Sequence, residues 1–293
     1  MTLPSDNGTK PDRACAPFAG RLACCMPVKD PGPEFALTLA SFTASTIRPY
    51  LIVVDDGSRS PIQIDFQARE LTGVVLRLDR NVGVAAALNI AFRRAMDMGF
   101  EFIARMDADD ILYPARFEHQ LNFLDQTPDC LCVVSAADLI DESGRVIGRR
   151  GIPDRASLRR RMAINNVLIH PTALFRADYV KRLGLYSEAY PLSEDYEYFA
   201  RGLRAGCVQM LDEALIQYRV STASVSFKKA REQVRHRLRV QWDSRGHLGP
   251  WVYLGMVRSG LILMLHVLMP HAALRRLKIG WQRRLARHRA GPL

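Results

Sequence analysis

Phe102-Ile103-Ala104-Arg105-Met106-Asp107-Ala108-Asp109-Asp110-Ile111 reads as a buried strand that runs straight into three carboxylates. Three like charges so close together repel one another, and Asp is tolerated there when water, a cation or helix-start amides satisfy it. One reading is a helix cap, because Tyr113-Pro114 opens a helix and Asp is a favoured capping residue. A single cap, however, uses a single Asp. The other reading is a cation site, since the ligand crevice of a doubly wound α/β sheet lies beyond the carboxyl ends of its strands.

The flanking sequence makes this strand the fourth in a series. Leu22 to Val28 is a short apolar run, followed by a loop at Pro31-Gly32-Pro33 and by Phe35, Leu39 and Phe42 at helical spacing between Glu34 and Ser45. Tyr50 to Asp56 is a second buried strand that ends in carboxylates, and Gly57-Ser58 supplies a turn and a helix-start hydroxyl. Strand alternation points Asp56 at the crevice and turns Asp55 away from it. Val74 to Leu78 is a third strand, and Val82 to Met98 is an alanine-rich helix that Gly99 stops. This alternation predicts right-handed βαβ units and an α/β fold of Rossmann-like type, with a mainly parallel sheet covered on both faces. The carboxylates of the second and fourth strands then share one edge.

Further along, the pattern predicts a helix from Tyr113 to Gln126, a strand from Cys130 to Ala137 and a hairpin around Ser143-Gly144. From Asn165 the regularity fades. Val167 to Phe175 is strand-like, Ser193 caps a helix from Glu194 to Ala205, and Leu215 to Val220 is a late strand. The expected organisation is a mobile leader over residues 1–20, a catalytic α/β unit over 21–227 (halves 21–137 and 138–227) and a helical tail over 228–293.

With 48% hydrophobic residues in 293, the chain holds ample material for a core and is no disordered segment. Its six cysteines show no Cys-x-x-Cys spacing, and three fall in apolar runs, which predicts buried thiols in a reducing cytoplasm. The N-terminus is polar and lacks the apolar core, about 7–15 residues long, of a signal peptide. The net charge of +11 is concentrated at the other end, where residues 228–293 hold 15 Lys and Arg against Glu232 and Asp243. No aromatic platform is interleaved there beyond Trp242, Trp251 and Trp281, so a nucleic-acid partner is not expected.

Trp251 to Met269 is apolar except for Arg258, Ser259 and His266 and approaches the roughly 20 residues of a membrane span. A central arginine costs about 2.5–3.5 kcal/mol on insertion, which argues against a simple span. Beyond Pro270, the residues Leu274, Leu277, Trp281 and Leu285 share one helical face while Arg275, Arg276, Lys278, Arg283, Arg284 and Arg287 cover much of the rest. The tail therefore reads as a device for docking on an anionic membrane surface. A single span, or an ordinary helical pair packed on the domain, are the alternatives.

The ordered motifs Val54-Asp55-Asp56-Gly57-Ser58, Asn81-Val82-Gly83 with Asn89, Met106-Asp107-Ala108-Asp109-Asp110, His170-Pro171-Thr172, Glu194-Asp195 and Tyr218-Arg219 resemble the inverting nucleotide-sugar glycosyltransferases of family 2, of the bacterial polysaccharide-assembly type. The likeness spans about Arg21 to Ser226. It implies a GT-A fold, a UDP- or related nucleotide-sugar donor and a glycan or lipid-linked saccharide acceptor at the inner face of the plasma membrane. It also implies a divalent cation, Mg²⁺ or Mn²⁺, held by Asp109 with Asp107, a catalytic base at Asp195 and donor contacts by Pro27, Asp56, Asp107 and His170.

Two features depart from the family pattern. Its Pro-x-Tyr-Asn is here Pro27-Val28-Lys29-Asp30, so an aromatic contact to the donor base is missing, and the Gln-x-x-Arg-Trp of processive synthases is absent, which favours one sugar per encounter.

Chemistry supports these roles independently. A departing diphosphate needs its growing charge neutralised, and the attacking hydroxyl needs a carboxylate on the opposite side to take its proton. Plainer readings stand beside them: Glu194 and Asp195 suit a helix N-terminus, His170 closes a turn, Arg201 pairs with Glu197, and Arg105 is either a partner of the aspartates or a snorkelling side chain. A sugar nucleotidyltransferase would carry a glycine-rich basic loop, and none lies near Pro27. An inactive nucleotide-sugar-binding scaffold subunit would have no need to retain these carboxylates.

Overall fold

The structure, a computed structural model, describes residues 20–220 and 229–268. The leader expected over residues 1–20 lies outside these up to Gly20, and so does the amphipathic helix expected from Leu274 to Arg287.

Strands β1 (Leu22–Val28), β2 (Tyr50–Asp55), β3 (Thr72–Arg77) and β4 (Phe102–Arg105) pair in the order β3-β2-β1-β4, all parallel. β1, β2 and β4 are apolar along nearly their whole length because both faces of the sheet are covered. Alternate residues of β1 feed two cores: Ala23 and Cys25 meet α2 (Val84–Asp97), while Leu22, Cys24 and Met26 meet α1 (Glu34–Thr43) and α3 (Arg116–Gln126). Cys24, Cys25, Cys130, Cys132 and Cys207 are buried free thiols. The connection from β1 runs to β2 on one side, whereas β4 adds on the other. That reversal is a topological switch point, and it sets the ligand crevice at the carboxyl ends of β1, β2 and β4.

Past β4 the sheet is mixed. β8 (Leu174–Arg176) is antiparallel to β4 and to β6 (Cys132–Ile140), β9 (Val208–Arg219) is parallel to β6, and β5 (Ile111–Leu112) pairs antiparallel with β9. β7 (Val146–Arg150) forms the expected hairpin with β6, whose connection is too short for a parallel crossover.

Several local expectations change under tertiary contacts. Ser58 starts no helix, and its Oγ instead accepts from the Asp30 amide at 2.9 Å. Of the strand expected over Val167 to Phe175, only the end forms, because Pro171 has no amide for a ladder and sits in a 3-10 turn, His170–Thr172. Helix α3 begins at Arg116 rather than Tyr113, since Ile111 and Leu112 are drawn into pairing with β9. Helix α4 (Arg155–Ile164) carries too few apolar residues to show in the periodicity; Asp154 caps it, accepting from Ser157 N at 2.8 Å. Ser193 precedes α6 (Glu194–Arg204) without capping it, and its hydroxyl donates to Gln233 O.

Beyond α5 (Ala177–Leu183), α6 and β9, the C-terminal helices α7 (Ala230–Asp243), α8 (Arg245–Leu248) and α9 (Trp251–Leu268) pack back on α4. Gln241 Nε2 donates to the carbonyls of Ala163 and Ile164 at 3.4 and 3.0 Å. A Cβ at Gly255 would lie 2.5 Å from Ala163 O, so α9 approaches this closely only with glycine there. Among the described residues, no helix is long and apolar enough to cross a membrane.

Gly57 sets the shape of the crevice edge, with φ +66° and a hypothetical Cβ only 2.5 Å from the Arg80 carbonyl carbon. Gly57→Ala combines left-handed backbone strain with a backbone clash and is expected to cost about 2–4 kcal/mol of stability. Urea unfolding of the two proteins checks this; a loss under about 0.5 kcal/mol, the size of an ordinary surface change, would contradict it.

Candidate active site

β4 ends at Arg105, and the tight segment after it delivers Asp107, Asp109 and Asp110. One carboxylate oxygen from each of the three aspartates lies within 4.8 Å of the others. None of them caps α3, whose N-cap is Ala115 with no side-chain bond. Arg105 is buried and grips Asp107 through both terminal nitrogens, at 2.7 and 2.6 Å. It is therefore the charge partner of the aspartates, not a snorkelling side chain. Beneath it the fully buried Arg116 donates to Arg105 O at 3.0 Å and Gln120 Oε1 at 3.1 Å, and burial brings its guanidinium down to about 10.

Burial and the charge of Asp107 push the Asp109 carboxyl up to about 6. Asp110 is driven upward by complete burial and by both neighbours. Its Oδ1 accepts from Arg219 N at 2.8 Å, while its Oδ2 has no partner among the described residues. Arg219 braces the same loop through Asp109 O at 2.9 Å and Asp141 O at 2.9 Å, and Thr38 Oγ1 holds Ala108 O from the other side. An orphaned buried carboxylate oxygen, raised carboxyl pKa values and an all-oxygen donor set fit a hard divalent cation.

The second acidic pair stands at the first turn of α6. Asp195 Oδ2 accepts from Asn166 Nδ2 at 2.7 Å and Oδ1 from Tyr196 N at 2.7 Å. Burial raises its carboxyl, and burial with the charge of Asp195 takes Glu194 up to about 7. Arg105 acts electrostatically on Asp109, Asp110, Glu194 and Asp195 alike, so the fold gathers both acidic groups around one guanidinium. Asn166 carries no sequence signal beyond its polar loop. The cation between the acids, Arg105, was visible only as an anomaly inside a strand.

At the crevice edge the paired aspartates of β2 divide. Asp55 is fully buried and accepts from Ser58 N, Ile62 N and Arg77, holding the irregular chain after β2. Asp56 accepts from the amides of Val82 at 2.6 Å and Gly83 at 3.1 Å, which fixes the start of α2 against β2. Pro27 lies beside them, in register with Val54. Lys29 and Asp30 are turned back on the β2 loop, Lys29 Nζ to Gly57 O and Asp30 Oδ1 to Arg59 N. A cavity of about 500 Å³ opens at the start of α2, lined by Arg80, Asn81, Val82, Ile90, Arg93 and Glu188. None of the carboxylates above lines it, so it does not mark the reacting centre.

His170 is buried, with Nε2 2.9 Å from Tyr186 Oη and its ring edge-on to Tyr186 and Phe199. Burial and the nearby Arg105 hold its pKa well below the usual histidine range, so it is neutral. Asn89 pins the same region, accepting from Tyr186 N at 2.9 Å and donating to Tyr186 O at 3.0 Å. Arg201 pairs with Glu197 at 2.7 Å, one helical turn away.

Comparison with known proteins bears on the family and the fold. The profile of the Glycosyl transferase family 2 matches residues 24–184, more than half of the chain. The amylovoran biosynthesis glycosyltransferase AmsE of Erwinia amylovora is 26% identical over 197 residues, 65% of this chain and 72% of that protein. The UDP-Gal:alpha-D-GlcNAc-diphosphoundecaprenol beta-1,3-galactosyltransferase of Escherichia coli is 29% identical over 188 residues, 61% of this chain and 66% of that one. Among solved structures, the mannosyltransferase PcManGT of Pyrobaculum calidifontis, in complex with GDP-Man and Mn²⁺, superposes with a TM-score of 0.56 at 14% identity, covering 92% of this chain and 84% of that one. The shared architecture is the GT-A fold.

Proposed function

Because the chain belongs to glycosyl transferase family 2, we propose that it moves one sugar from a nucleotide-diphosphate donor, of UDP type, to a hydroxyl of a lipid-linked saccharide during surface polysaccharide assembly. The observation that carries this reading is the gathering of two separate acidic groups, Asp107-Asp109-Asp110 and Glu194-Asp195, around Arg105. The UDP donor and the lipid-linked acceptor are those in the name of the E. coli relative, and they are carried over here as part of the proposal.

In this reading, Asp109 with Asp107, backed by Asp110, would hold Mg²⁺ or Mn²⁺, which neutralises the charge growing on a departing diphosphate. Asp56 and Pro27 would form the nucleoside end of the donor crevice, with Asp56 held in place by the Val82 and Gly83 amides, and His170 is the further donor contact of this reading. Asp195 takes the proton of the acceptor hydroxyl. Its raised pKa makes it a stronger base than an exposed aspartate, and Asn166 with the Tyr196 amide fixes the orientation of the carboxylate. A base and a leaving group on opposite sides of the sugar imply a single displacement, hence inversion.

The tail fits work at the cytoplasmic face of a membrane. Leu254, Val257, Leu261, Met264 and Leu268 form one side of α9, each 50–70% exposed, and they follow on in a chain whose residues 228–293 are strongly basic. An apolar row beside excess positive charge matches an anionic lipid surface. The proposed division is a catalytic unit over 21–227 and a membrane-docking tail over 228–293.

Asp109→Asn should keep the fold, lose Mn²⁺ binding by electron paramagnetic resonance and lose nucleotide-diphosphate release across UDP-, GDP- and dTDP-sugars. Wild-type protein that stays active in EDTA would end the metal assignment. Asp195→Asn should still bind UDP with Mn²⁺ but turn over about 10²–10⁴ times more slowly, as expected for loss of a positioned base; a variant within a few-fold of wild type removes Asp195 from the role. Val257→Glu with Leu261→Glu should leave donor hydrolysis unchanged and abolish sedimentation with phosphatidylglycerol vesicles at low salt. Equal sedimentation of both proteins would refute docking through α9.

A further inference from the structure

The C-terminal hairpin brings two arginines to the acceptor side of Asp195. On α7, Gln233, Arg237 and Gln241 are four residues apart and share one face. Gln233 O accepts from Ser193 Oγ, next to Asp195, and Gln241 Nε2 reaches the carbonyls of Ala163 and Ile164. Arg237 therefore sits between the first turn of α6 and the end of α4, where Tyr196 Oη also binds Met162 O at 2.5 Å. α9 runs back along α7 with Gly255 against Gln241, which carries Arg258, one turn later, alongside Arg237.

Neither arginine forms a hydrogen bond or an ion pair among the described residues, and Arg258 Nη1 is buried with no acceptor. The carboxylate that reaches Arg237 electrostatically, Asp195, is already bound by Asn166. Two guanidiniums side by side without a counter-anion repel, and burial makes that costly; the burial of Arg237 and the charge of Arg258 both depress its pKa. Such a pair is stable when an anion lies between its members, and arginine forks bind phosphate oxygens in bidentate fashion.

The position narrows the anion. The donor diphosphate belongs at the Asp107 cluster, and a single displacement brings the acceptor to the opposite face of the donor sugar, the face on which Asp195 stands as base. Arg258 also stands on α9 next to the exposed row of Leu254, Val257 and Leu261, so a ligand that carries an apolar chain next to its charge suits the pair.

We propose that Arg237 and Arg258 form a subsite for the phosphate or diphosphate of a lipid-linked acceptor, holding its saccharide hydroxyl toward Asp195. This rests on the glycosyltransferase reading with Asp195 as base. The subsite selects an acceptor whose sugar is joined to its lipid through phosphate.

The test is calorimetric titration of the full chain with a C15 prenyl diphosphate in EDTA, where the aspartate cluster recruits no diphosphate through a cation. Wild type should bind it at least about tenfold more tightly than the C15 prenyl alcohol, and Arg237→Gln with Arg258→Gln should lose about tenfold or more, the worth of a charge-assisted bidentate contact. UDP binding in Mn²⁺ should be unchanged in the same variant. If the double variant does not fold, Arg258→Gln alone must show the loss, because Arg258 is only partly buried. Equal binding of diphosphate and alcohol by wild type, or undiminished diphosphate binding by the variant, overturns the subsite. A variant that loses binding to phosphatidylglycerol vesicles but keeps prenyl diphosphate also overturns it, since the anion is then a phospholipid headgroup. Failure of the donor reading shows separately, as wild type that does not bind UDP with Mn²⁺.

Discussion

A guanidinium only 4% exposed at the end of a central strand constrains everything around it. Arg105 cannot be buried there without compensation, because an unpaired charge in the interior costs several kcal/mol. Asp107 supplies a bidentate partner, and the field of the same cation holds Asp109, Asp110, Glu194 and Asp195 in a region that burial alone would empty of carboxylates. Even with Arg116 beneath, the acids outnumber the guanidiniums. Burial first, and then the neighbouring acids, raise the carboxyls of Asp109, Asp110 and Glu194, an electrostatic state that a hard cation relieves.

The architecture explains why the surplus sits where it does. Parallel β3-β2-β1-β4 pairing aligns the carboxyl ends of the strands, and the reversal at β1 opens a crevice between them. β9 then returns through the mixed half of the sheet to put Arg219 against the aspartate loop, so strands far apart in sequence brace the same three acids. Side chains that satisfy backbone amides do the rest. Asp55, Asp56 and Asn89 hold, respectively, the chain after β2, the start of α2 and the segment at Tyr186. Each is buried polar structure that is stable because its bonds are complete.

The C-terminal hairpin has two faces with different work. Inward, Gly255 and Gln241 allow close packing on α4, and Arg237 and Arg258 come to rest near the first turn of α6. Outward, a row of large apolar residues meets solvent. The proposed charged subsite, next to an apolar row, is the complement of an amphiphilic anion, which would join the membrane reading of the tail to the chemistry proposed for the crevice.

Much of this was legible in the residues themselves. Alternating apolar runs and helical recurrences up to Gln126 mark β1 to β4 and α1 to α3, because period-2 and period-3.6 burial are local properties. The carboxylates at the ends of β2 and β4 were visible for the same reason, whereas the different backbone amides that Asp55 and Asp56 hold were not. Where local rules compete with distant contacts, the reading stops. Pro171 broke the strand expected through His170, β9 drew Ile111 and Leu112 away from α3, and α4 held too few apolar residues to show a period. Which charges meet is not written in any window of sequence. Arg105 and Asp195 are ninety residues apart, and Arg237 and Arg258 meet only through a turn between two helices. Their proximity follows from chain crossings and packed faces, since electrostatic energy depends on separation in space and on burial, and the tertiary structure alone supplies both.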